Sequence, residues 1–179
     1  KVGVELLLQV DGVEKRFGGL VAVDDISINV KDNDIMGIIG PNGAGKTTLL
    51  NCISGFYKPE KGVIKFEDKP ITGKTPYSLC HLGLSRTFQT VRCFPKETAL
   101  ENVRIAIVYG SKKRKDSEKK AKELLDFVEF PVSYNTIADS LNIIQLKRLE
   151  LARSLATNCK LLLLDEVAAG LTTAELPPF

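Results

Sequence analysis

The run Gly40-Pro41-Asn42-Gly43-Ala44-Gly45-Lys46-Thr47-Thr48 constrains this chain more than any other feature. It fits G-x-x-x-x-G-K-[ST], a loop that wraps backbone N–H groups around phosphate when it joins a strand to a helix. Both flanks have that character. Asp34-Ile35-Met36-Gly37-Ile38-Ile39 is a short apolar run bounded by turn residues and reads as a strand. Beyond the loop, Leu49, Leu50 and Ile53 fall at core spacing on a helix that Gly55 would stop.

Clustered phosphate charges demand several N–H groups converging on them, and the glycines at 40, 43 and 45 let the backbone come that close. Lys46 would set a point charge on the outer phosphates and Thr47 a hydroxyl on Mg²⁺, while the helix opening at Lys46 turns its positive end to the anion. Pro41, Asn42, Ala44 and Thr48 complete the cradle. The loop implies a nucleoside triphosphate. It does not by itself choose among ATPases, kinases and GTPases, although no guanine-reading N-K-x-D occurs.

A chain of 179 residues is long enough for one domain with a sizeable core. The net charge of +3 points neither to nucleic acid nor to a membrane surface. No stretch reaches the ~18 apolar residues of a spanning helix, and no secretory leader pattern opens the chain, so a cytosolic location is expected. Cys52, Cys80, Cys93 and Cys159 lack C-x-x-C spacing and suit reduced thiols. The adjacent Cys80 and His81 make a poor metal pair.

Strands are expected over Glu5–Val10, Val21–Val30 and Gly62–Glu67, giving a β-rich part around the phosphate loop. Helices are expected over Thr98–Val108, Asp116–Phe130 and Gln145–Thr157. The basic run Lys112-Lys113-Arg114-Lys115 reads as a solvated face, with acidic lipid or nucleic acid as alternatives. The apolar strand Leu161–Leu164 then ends in Asp165-Glu166. An acid at the end of a buried strand beside a phosphate loop would hold the Mg²⁺ shell through Asp165. Glu166 would orient or deprotonate the attacking water. An acidic turn closing a core strand is the structural alternative.

The order of these features carries a resemblance. Phe17-Gly18-Gly19, the phosphate loop, Arg86-Thr87-Phe88-Gln89, the helix Arg148-Leu149-Glu150-Leu151-Ala152-Arg153 and the Leu161–Glu166 strand resemble the ATP-binding subunit of ATP-binding-cassette transporters, from about Glu5 to Glu175. Ile53-Ser54-Gly55-Phe56-Tyr57, Ile71-Thr72-Gly73 and Leu100-Glu101-Asn102-Val103 are most similar to the LivG-type subunit of branched-chain amino-acid importers.

The resemblance implies an α/β fold: a phosphate-loop NTPase (RecA-like) core with an antiparallel β subdomain and a helical subdomain, C-terminally truncated. One domain would fill 1–179: a β-rich part with the loop over about 1–88, a helical subdomain over about 89–157, and the acidic strand with a dimer-contact loop over 158–179. It also implies ATP with Mg²⁺, a head-to-tail dimer with a second ATP-binding subunit, transmembrane permease subunits as partners, and a peripheral place on the cytoplasmic face of the inner membrane. Nucleic acid is not expected. By the same resemblance Phe17 would stack on adenine with Val23 as apolar floor, and Gln89 would touch Mg²⁺ and the attacking water. Lys46, Gln89 and Glu166 would be the catalytic residues, with Thr47, Gln89 and Asp165 about the metal.

Four departures accompany it. Where the family has Leu-Ser-Gly-Gly-Gln, which holds the γ-phosphate bound to the opposite subunit, this chain reads Leu141-Asn142-Ile143-Ile144-Gln145, with Asn142 placed to cap the following helix. Val167 replaces a proline. The segment between Gln89 and this signature is short for the family. The single histidine, His81, precedes the acids, whereas the family's switch histidine follows them. These departures keep a second reading open, a nucleotide-binding module with little or no hydrolysis.

Overall fold

The computed structural model describes residues 6–88, 90–110 and 116–165 and divides into two compact units, Lys1–Leu79 and Cys80–Phe179. The first is built on a four-stranded antiparallel sheet. Strands β1 (Leu6–Phe17), β2 (Leu20–Lys31), β3 (Lys61–Phe66) and β4 (Lys69–Pro70) lie in the order β2-β1-β3-β4. β1 is twice as long as the alternating apolar run suggests. Its second half carries Glu14, Lys15 and Arg16, which hide the strand pattern. Glu14 is buried there because Arg16 and Lys61 both pair with it. The Phe17↔Leu20 pair closes the β1–β2 hairpin over Gly18-Gly19.

Helix α1 (Lys46–Ile53) packs Leu49, Leu50, Cys52 and Ile53 into the core of this unit with Leu8, Val10, Val13, Ile64 and Phe66. It stops where expected. Gly55 has φ 77°, and a Cβ there would lie 2.2 Å from the carbonyl oxygen of Lys74. Only glycine fits that reversal. The Phe56 and Tyr57 N–H groups then donate back to Asn51 O at 2.9 and 3.1 Å.

The expected strand over Asp34–Ile39 is not formed. These residues carry no regular structure, and Ile35 and Ile39 are fully exposed. A β-branched run becomes a strand only where a neighbour accepts its backbone bonds and covers its side chains. In this unit β1 to β4 pair only with one another.

In the second unit, helix α2 (Pro76–Leu82), which begins in the first, runs into the short strand β5 (Leu84–Arg86). β5 is the strand expected before Gln89, whereas α2 has no counterpart among the expected elements. β5 pairs in parallel with β6 (Leu161–Leu163), Leu84 opposite Leu161 and Arg86 opposite Leu163. Helices α3 (Ala99–Gly110), α4 (Ser117–Phe127) and α5 (Ile143–Ala156) enclose a core of Ala99, Val103, Ile107, Ala121, Leu125, Leu149, Ala152 and Ala156. Alanines at facing positions allow the helices to pack closely around the larger aliphatic groups.

Asn102 is fully buried in α3. Its Oδ1 accepts from Phe94 N at 2.8 Å, and its Nδ2 donates to the Phe94 and Thr98 carbonyls, each at 3.0 Å. The amide thereby fixes the loop that enters α3.

Candidate functional site

The phosphate loop belongs to the first unit. Lys46 and Thr47 stand in the first turn of α1, directly after Gly45. Gly45 has φ 85°, and a Cβ on it would meet Ala22 O of β2 at 2.0 Å. The loop is therefore seated on β2 by a contact that no side chain permits. Val23, next along β2, is buried, with Cγ2 3.6 Å from that Cβ position. It forms a floor beneath the end of the phosphate loop.

Lys46 Nζ donates to Gly40 O at 2.7 Å and Pro41 O at 2.8 Å, so the ammonium lies across the mouth of the loop. Pro41, Asn42, Gly43, Ala44 and Thr47 are exposed, and Thr48 is half-buried. An ammonium resting on neutral carbonyls, beside a glycine turn pressed on a strand, fits a phosphate: the anion offers the lysine charged oxygens in place of dipoles. Thr47, in the same turn, carries a hydroxyl oxygen, a donor type that Mg²⁺ accepts.

Phe17 ends β1, 44 % exposed. Tyr57 packs edge-on against its ring, centroids 5.2 Å apart and planes at 76°. Lys15 Nζ lies 5.4 Å from the Phe17 centroid and 6.0 Å from that of Tyr57. Lys15 carries no signal in the sequence, and Tyr57 enters there only within the Ile53–Tyr57 segment, with no role attached.

The acidic strand end belongs to the second unit. Asp165 is buried, with Oδ2 2.8 Å from Arg86 Nη2 and its backbone N–H donating to Thr87 Oγ1 at 3.2 Å. The β5–β6 pairing aligns these partners, which the sequence separates widely. Gln89 and Glu166 lie outside the described residues, although both neighbours of the expected site do not: Phe88 N donates to Glu150 Oε1 at 2.8 Å. Burial pushes the Glu150 carboxyl up, opposed by the Phe88 N–H and by Arg153 and Lys147. Ser85, Arg86, Phe88, Arg92, Glu150 and Arg153 line a cleft of about 270 Å³. The guanidinium carbons of Arg86 and Arg92 lie 5.5 and 5.9 Å from the Phe88 ring.

The signature segment opens α5 with a capping box. Asn142 Oδ1 accepts from Gln145 N and Gln145 Oε1 from Asn142 N, each at 2.9 Å. The expected cap is therefore present, and Gln145 contributes its reciprocal half.

A glycine-seated loop followed by a lysine-led helix defines a phosphate-loop nucleotide-binding protein. The family model of the ABC transporters matches residues 23–169, and the chain belongs to that family. It is 38% identical, over 94% of its length and 72% of the relative's, to the high-affinity branched-chain amino acid transport ATP-binding protein BraF of Pseudomonas aeruginosa. Among solved structures, an ATP-binding cassette of an ABC transporter superposes with a TM-score of 0.83 at 37% identity, covering 93% of this chain and 71% of its own. A dimeric cassette in a post-hydrolysis state, bound to ADP and Pi, gives 0.82 at 26% identity, covering 94% and 77%.

Proposed function

We propose that this chain is the ATP-binding and hydrolysing subunit of an ABC importer that carries branched-chain amino acids. The observation that carries this reading is the Gly45 seat on β2, which sets Lys46 and Thr47 at the opening of α1, in a chain 38% identical to BraF. Lys46 binds the outer phosphates. Thr47 and Asp165 hold Mg²⁺, Gln89 contacts the metal and water, and Glu166 is the general base. Phe17 stacks on the adenine, with Val23 supporting the loop beside it.

When bound, Mg²⁺ neutralises charge on the phosphates. The chain's residues supply position and proton acceptance. Arg86 holds Asp165 Oδ2 by an ion pair, so metal ligation through that oxygen competes with the pair. The subunit works as a head-to-tail dimer on the cytoplasmic face of the inner membrane, docked on permease subunits. Among the described residues no helix is long and apolar enough to cross a membrane.

Equilibrium Mg-ATP binding and turnover test the reading. Lys46→Ala abolishes binding or use, and Glu166→Gln traps bound ATP; unchanged turnover in either variant refutes the role assigned to that residue.

A second reading, nucleotide binding with little hydrolysis, draws on the capping box. The Gln145 N–H at the start of α5 is already consumed by Asn142, which leaves that helix end one donor fewer for an incoming phosphate. ATP binding without turnover, in the presence of the partner subunits, selects this reading over the first.

A further inference from the structure

The aromatic corner around Phe17 is more elaborate than a stacking residue requires. Phe17 is nearly half exposed, at the end of a hairpin, where an isolated ring would sample several rotamers. Two contacts restrain the ring, and bonds behind them hold the second contact and the backbone in place. Tyr57 presents its ring at 76° and 5.2 Å, an edge-to-face arrangement. Lys15 Nζ faces both rings, 12 % of its side chain exposed. The ammonium is itself pinned, to Glu60 Oε1 at 2.6 Å and Lys58 O at 3.0 Å. The second Glu60 oxygen accepts from Arg16 N at 2.9 Å, which fixes the backbone just before Phe17. One carboxylate thus holds both the cation beside the ring and the peptide that carries it.

The corner also lies near the phosphate loop. Phe17 pairs with Leu20, and Ala22, two residues further along β2, is the residue on which Gly45 sits. At about 3.4 Å per strand residue this is a step of roughly 7 Å. α1, whose first turn carries Lys46, ends in the Gly55 reversal that delivers Tyr57 to the ring.

We propose that Tyr57 and the Glu60-pinned Lys15 form a brace that presets the Phe17 ring for stacking on the nucleobase. This deepens the proposed function and rests on its assignment of Phe17 to the base. Tyr57 and Lys15 are positioning residues, acting through Phe17. Preorganising a stacking ring removes a rotamer cost that the ligand would otherwise meet on binding. The brace therefore favours nucleotides over phosphate chains that lack a base.

The test compares the affinity of the 179-residue chain for Mg-ATP and for Mg-tripolyphosphate, which engages the loop but offers no base. Phe17→Ala weakens ATP binding about tenfold or more and leaves tripolyphosphate binding unchanged, which also shows that the variant is folded. Tyr57→Ala weakens ATP binding by roughly three- to tenfold, again without change for tripolyphosphate, and Tyr57→Phe restores it. In the Phe17→Ala background Tyr57→Ala has no further effect, because the brace has nothing left to orient. If Phe17→Ala does not separate the two ligands, the base-stacking assignment falls and the brace with it. If Phe17→Ala separates them but Tyr57→Ala does not, or if the two substitutions add, the brace alone is refuted.

Discussion

Replacing Gly45 by alanine adds one methyl group at the point where the phosphate loop meets β2. Two costs follow. The residue sits at φ 85°, where an L side chain costs about 1–2 kcal/mol. The new Cβ would lie 2.0 Å from Ala22 O and 3.2 Å from Ala22 C, so loop and strand must part by more than about 1 Å. Overpacking of this kind adds about 1–3 kcal/mol. Neither neighbour yields easily: Ala22 lies in β2 between the Val21↔Arg16 and Val23↔Lys15 pairs, and Gly45 O accepts from Leu49 N in α1.

Gly43→Ala is the internal control. Gly43 has φ 81° but no atom of the chain within 4 Å of its Cβ position, so only the conformational cost applies to the stability of the nucleotide-free chain. In that state the two variants should differ by about 1–3 kcal/mol, or roughly 5- to 150-fold in the unfolding equilibrium. Urea unfolding without nucleotide measures the difference. Equal losses in the two variants, within about 0.5 kcal/mol, would refute the idea that close approach to β2, rather than glycine's φ, seats the loop.

Three other outcomes are expected. Asn102→Ala should destabilise the second unit by about 3 kcal/mol, three amide bonds at about 1 kcal/mol each, read as a lower urea midpoint; a loss under about 1 kcal/mol would contradict the bonding assigned to that amide. Glu150→Gln keeps an acceptor for Phe88 N while removing a buried charge. Because the folded carboxyl titrates above its ordinary 4.5, the parent chain gains stability as pH falls through that raised value toward 4.5. The advantage of the glutamine should thus be largest at neutral pH and shrink on acidification; unfolding curves across that range check the sign. Burial raises the Cys52 thiol to about 11, so Cys52 should resist maleimide at mildly alkaline pH and react once the chain is denatured, as peptide mapping would show.

What the sequence made legible was local. The phosphate loop, the Gly55 stop of α1 and the apolar faces of α3, α4 and α5 follow from spacing and backbone preference over a few residues, and the structure carries each of them. The expected strand ends at Val10, before Asp11-Gly12, whereas β1 runs on to Phe17 through Glu14 and Lys15, which pair with Lys61 and Glu60. The Asp34–Ile39 run shows the converse: strong strand composition makes no strand without a partner. The ion pair of Arg86 with Asp165 and the ring contact of Phe17 with Tyr57 join residues far apart in the chain. Periodicity cannot register such pairs.

Helix α1 has an implication of a mechanical kind. Its eight residues span about 12 Å, with a left-handed glycine following one end and another preceding the other, so its length and phase are fixed at both ends. The phosphate loop and the aromatic corner are thereby the two jaws of a single caliper. A residue inserted in α1 would swing everything beyond it by about 100° and advance it by about 1.5 Å. Tyr57 would turn away from Phe17 while the phosphate jaw kept its shape.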